Sequence, residues 1–121
     1  MTRRRDERGA ATAELAMVLP LLVAVTAGLV WLLAVGVAQV RAVDAARETA
    51  RAVARGDSLE AAVARGRQVA PDGARIEVDV SGAEVRVVVN GEVGGPGGLF
   101  ASIPGARVDA EAVGVVEGGG W

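Results

Sequence analysis

The chain has 121 residues, a formal net charge of −2, and neither cysteine nor histidine. That length allows one modest domain, and the missing residue types exclude disulfide frameworks, thiol nucleophiles, imidazole acid–base catalysis and the usual zinc ligand sets. With one Phe, two Trp and no Tyr, there is no aromatic platform for stacking single-stranded nucleic acid, and the charge balance is not that of a nucleic-acid binder.

Four arginines, Arg3, Arg4, Arg5 and Arg8, open the chain. From Leu15 to Val40 no residue is charged and Gln39 is the only amide. As a helix this run reaches about 39 Å, more than the roughly 30 Å hydrocarbon core requires, so a single tilted membrane span is expected. The apolar region of a secretory signal peptide is about 7 to 15 residues long, which argues against simple secretion. Beside an apolar helix the four arginines read as the basic flank of the span. Pro20 removes one backbone hydrogen bond, to the carbonyl of Ala16, and predicts a kink. Ala24, Gly28 and Gly36 fall near one face and permit close helix approach.

Helical spacing continues past the apolar run through Val43, Ala46, Ala50 and Val53, with Arg41, Asp44, Arg47, Glu48, Arg51 and Arg55 on the other faces. One long helix should therefore leave the membrane as an amphipathic extension. Gly56 supplies a stop, and Asp57 with Glu60 reads as a capping box for a short second helix with Leu59, Ala62, Val63, Val69 and Ala70 as its buried stripe. Pro71-Asp72-Gly73 ends that helix.

Period two follows. Ile76, Val78 and Val80 alternate with Arg75, Glu77 and Asp79, and Val85, Val87 and Val89 lie beyond a Ser81-Gly82 turn, which predicts a β-hairpin. Val88 breaks the alternation and predicts partial cover on both faces there. A loop rich in Gly and Pro is expected from Gly91 to Gly105, then a third strand from Arg107 to Val116 with Val108, Ala110 and Ala112 inward. The fold class is α+β: a long N-terminal transmembrane and amphipathic helix, a short helix, then about three antiparallel strands. The strands need a surface to pack on, and the amphipathic half of the long helix is the expected partner.

No catalytic constellation emerges. Glu77 and Asp79 belong to an outward strand face, so with Asp72 and Glu84 they read as solvated acids. The Gly94-Gly95-Pro96-Gly97-Gly98 stretch lacks the Lys-Ser/Thr and the strand-to-helix setting of a phosphate loop. The expectation is a protein that is not an enzyme, with no metal, no cofactor, no small-molecule substrate and no nucleic-acid partner.

The N-terminal motif is more specific. Residues Gly9 to Glu14 read G-A-A-T-A-E, preceded by the basic leader and followed by L-A-M-V-L-P-L-L; further on, Val43 to Arg51 read V-D-A-A-R-E-T-A-R. A basic leader ending in Gly, Glu at the fifth position after it, and then an apolar helix resembles the processing site of type IV pilin-like precursors. The continuation resembles the TadE-like minor pilins of the tight-adherence (Flp) pilus system, over residues 9 to about 55. The resemblance implies cleavage between Gly9 and Ala10 by a membrane-embedded prepilin peptidase, partnership with other pilin subunits and assembly proteins, and residence in the cytoplasmic membrane or a surface pilus. It divides the chain into a leader (1–9), a transmembrane helix (10–40), an amphipathic extension (41–55) and a small extracytoplasmic α+β module (57–121).

Glu14 has a physical reading of its own. A carboxylate at the start of an apolar helix is favoured by the helix dipole and disfavoured in hydrocarbon unless a cation accompanies it. The α-amino group freed at Ala10 would lie about one turn away, on the same subunit or a neighbour; the alternative is an interfacial acid that stays wet. Arg41, Arg47, Arg51 and Arg55 balance the leader, so the N-in, C-out orientation rests on the density of the leader arginines and on peptidase access to Gly9. The alternative function is an unprocessed single-pass anchor displaying an extracytoplasmic interaction module.

Overall fold

A computed structural model describes the backbone of residues 2–95 and 105–116, and side chains from residue 7 onward within them. The chain forms α1 (Thr2–Ala54), α2 (Leu59–Val69), β1 (Arg75–Ser81), β2 (Glu84–Val93) and β3 (Ala106–Val115), with the strands in the order β1-β2-β3. Both strand pairs are antiparallel, matching the α+β architecture expected from the sequence.

α1 ends where Gly56 adopts φ 100°, a left-handed conformation that L side chains resist. Gly56 N donates to Val53 O (3.1 Å) and Asp57 N to Ala52 O (3.0 Å), the paired bonds of a Schellman stop. The cap of α2 differs from the expected box. Ser58 is the N-cap, its hydroxyl accepting from Ala61 N at 3.2 Å. Asp57 instead accepts from Arg55 at 3.0 Å. The Schellman stop occupies Asp57, so the cap moves one residue on and Glu60 falls too early in the first turn to close a box.

The buried stripe of α2 also differs. Ala62, Gly66 and Ala70 face inward, Val63 is half-buried, and Leu59 and Val69 are exposed. Small residues four apart let α2 lie close on α1. A Cβ on Gly66 would collide with the Thr49 hydroxyl and come within 3.1 Å of Ile76 Cδ1 and 3.3 Å of Ala45 O. Thr49 is fully buried, and its Oγ1 has no hydrogen-bond partner among the described residues.

Val85, Val87 and Val89 of β2 and Val108 of β3 are fully buried, with Ala110 beside them. They share one face of the sheet, as period two requires, and Val85, Val87, Val89 and Ala110 form one core cluster with Ala42, Ala46, Ala50 and Val53 of α1. Val88 lies on the opposite face, opposite Glu77 and Glu111, and is half-buried by that setting. Val80 is exposed at the hairpin end. The Gly- and Pro-rich stretch expected as a loop lies outside the described residues from 96 to 104.

Two outcomes are expected in thermal unfolding of the full chain in detergent micelles. Gly66→Ala destabilises by about 1–3 kcal/mol through overpacking, and adding Thr49→Ala recovers part of the loss because the two sites share the same space. Thr49→Val, which keeps the shape and removes the orphan hydroxyl, is neutral or stabilising by about 1 kcal/mol. The cap is tested separately: Ser58→Ala should cost about 1 kcal/mol, while Glu60→Ala stays within about 0.5 kcal/mol.

Candidate processing and assembly site

The motif residues all lie on the N-terminal part of α1. Arg3, Arg4 and Arg5 fall in its first turns, their side chains outside the described set; Arg8, Gly9, Ala10 and Glu14 follow and are exposed. The helix passes through Gly9 without interruption and continues through Pro20. Glycine lowers helix stability by about 1 kcal/mol relative to alanine at an exposed interior position. Nothing inside the subunit compensates, because a Cβ at Gly9 would meet no atom within 4 Å. Packing therefore gives no reason for glycine at this position.

Glu14 stands between the arginine-rich leader and the apolar run that begins at Leu15. It forms no hydrogen bond or ion pair among the described residues, and it is one helical turn beyond Ala10. Beyond it, Leu15, Met17, Leu19, Leu21 and Leu22 are all more than half exposed, with Met17 at 78%. Exposed leucines singly are ordinary, but a continuous apolar sleeve on a projecting helix requires another apolar environment. By length and composition α1 is the one candidate membrane-spanning helix among the described residues, and none of its most apolar window is buried within the chain.

Among the described residues no three His, Cys, Asp or Glu side chains are placed to hold a metal ion. Glu77, Asp79 and Glu84 face outward on the sheet, where Arg86 bridges Glu84 (3.6 Å) and Glu111 (3.2 Å). A shallow cleft of about 480 Å³ between Arg75, Glu77, Asn90, Glu92, Arg107 and Asp109 opens on the same face. Its lining is polar and solvated, unlike the mostly apolar lining of small-molecule sites.

A projecting apolar helix joined to a small helix-and-sheet head defines the class: an α+β protein with one candidate membrane-spanning helix among the described residues. Residues 9–51 match the family model described as TadE-like protein. The match begins at Gly9 and ends within the buried part of α1, bearing out the resemblance read from the motif over that segment. No curated protein and no solved structure matches the chain.

Sequence reasoning missed two polar residues in the apolar run that bind the module. Trp31 Nε1 donates to Val93 O at 3.4 Å, and Gln39 Nε2 donates to Asp109 O at 2.7 Å. The signal was present, since a Trp and the single amide interrupt an otherwise aliphatic run, but their partners are 62 and 70 residues away in sequence. Gln39→Leu should leave the span intact while loosening the β3 edge. Hydrogen exchange should show faster exchange of β3 amides, with a loss of about 1 kcal/mol.

Proposed function

We propose that this chain is a minor pilin, or pseudopilin, that contributes to assembly of a tight-adherence pilus or a related secretion apparatus, and that it has no enzymatic activity. The observation that carries the reading is the family match that starts at Gly9, at the end of the basic leader. The exposed Gly9, free of any packing role, suits a residue selected by an external peptidase. Its helix-weakening effect eases local unwinding, which presentation of the Gly9–Ala10 peptide bond requires.

Glu14 acts after cleavage, as the charge partner of the freed Ala10 amine. Among the described residues the sleeve around Glu14 is unburied, which supports partners drawn from lipid and neighbouring helices. Peptidase access places the leader in the cytoplasm and the module outside.

Processing and assembly should separate by mutation. Gly9→Val is expected to leave the fold intact and to accumulate uncut precursor, read by intact mass from cells that contain the peptidase. Glu14→Ala and Glu14→Gln should be cut normally yet enter sheared pili poorly. Loss of one partner from a buried pair costs about 3–5 kcal/mol, against at most about 1 kcal/mol at a wet surface. Normal incorporation of both Glu14 variants would make Glu14 an interfacial acid. Retention of Met1 to Gly9 on the mature wild-type chain would make the protein an unprocessed anchor.

A further inference from the structure

The apolar run and the folded module claim the same stretch of α1. Trp31 and Gln39 lie inside the run from Leu15 to Val40, yet each donates a hydrogen bond to the sheet, and Ala38 between them is buried. β3 runs alongside α1 in the same direction: Asp109 is level with Gln39, and Gly114 lies 3.7 Å from Ala50 O, measured from a Cβ built on the glycine. Val93, held by Trp31, pairs with Ala106, so this end of the sheet is level with Trp31. Glu92 pairs with Arg107 just above it, and Arg75, Asn90 and Asp109 form the next outward row.

A hydrocarbon boundary at Val40 would submerge that whole corner of the module. Arg75, Glu92, Arg107 and Asp109 would sit in lipid together with the outer edge of β3, which pairs with no further strand among the described residues. Ionisable side chains are disfavoured there, and open sheet edges exposed to lipid do not occur in the hydrocarbon region. The opposing effect comes from Leu32, Leu33, Val37 and Val40, which are exposed on α1 and would gain from lipid cover. Exposed aliphatic side chains are tolerated on protein surfaces, whereas an unpaired strand edge in hydrocarbon is not, so the sheet decides the depth.

We propose that the outer hydrocarbon boundary lies at the level of Trp31 and that the Val93–Ala106 end of the sheet rests on the phospholipid headgroup layer. Trp31 is the anchor of this contact. Its half-buried ring suits the interface, and its N–H is already satisfied by Val93 O. The lipid-embedded segment is then Leu15 to Val30, about 24 Å long, shorter than the roughly 30 Å core. Local bilayer thinning absorbs the difference, and the shortfall draws Glu14 toward the inner hydrocarbon edge. The placement rests on the anchor reading of α1 alone; it requires neither cleavage at Gly9 nor incorporation into a filament.

The test uses the full chain in phosphatidylcholine vesicles. With Trp121→Phe, Trp31 is the only indole, and its emission should be quenched far more by lipids brominated near the headgroup than by lipids brominated near the chain end. The chain has no cysteine, so Leu22→Cys and Val40→Cys can each carry a nitroxide with Trp31 untouched. The Leu22 label should relax with oxygen and ignore an aqueous nickel chelate, while the Val40 label should do the reverse. Strongest quenching of Trp31 by the deep bromines, together with an oxygen-accessible Val40 label, would overturn the placement and return the boundary to Val40. A Leu22 label open to nickel would instead remove the anchor reading itself, and the placement with it.

Discussion

The structure depends on one helix face made of alanine. Ala42, Ala46, Ala50 and Val53 of α1 form one core with Val85, Val87 and Val89 of β2 and Ala110 of β3, and Ala45, Thr49 and Ala52 add a second buried face beneath α2. Short side chains let a flat sheet and a second helix approach the same axis from two directions. The closeness also makes the packing intolerant of added volume, because interiors at this density have few voids to absorb it. A small domain buries proportionally little surface, and this one has no disulfide to compensate. The module is consequently inseparable from the helix that carries it: without α1 the sheet would have one uncovered apolar face.

That dependence joins two tasks in a single element. The C-terminal part of α1 is a core helix and its N-terminal part projects as an apolar sleeve, with Trp31 and Gln39 forming hydrogen bonds across the changeover. α1 continues as one helix on both sides of Pro20, so a set number of turns separates the module from the N-terminal motif even where the proline bends the axis. On the proposed placement, where the module rests therefore bears on how deep Glu14 lies.

The two residues central to the functional reading have no evident structural employment within the subunit. Gly9 contacts nothing that would forbid a side chain, and Glu14 is exposed and without an ion pair among the described residues. The roles proposed for both depend on what meets them from outside. The TadE-like match over residues 9–51 begins with the first of them.

Periodicity by itself determined the elements: an apolar run too long for a signal peptide, a helical repeat that outlasts it, a Gly stop, and alternating valines that settle which face of the sheet is buried. These are local properties, written in neighbouring residues, and the motif from Gly9 to Glu14 is local too. Tertiary structure decided what depended on distant partners. The cap of α2 fell to Ser58 because the Schellman stop of α1 already occupied Asp57. The buried stripe of α2 became Ala62, Gly66 and Ala70, since close approach to Thr49 and Ala45 favours absent side chains over the larger Leu59 and Val69. Hydropathy extended the apolar run to Val40, but only the folded chain shows the sheet returning to Trp31 and Gln39, because those bonds join residues far apart in sequence.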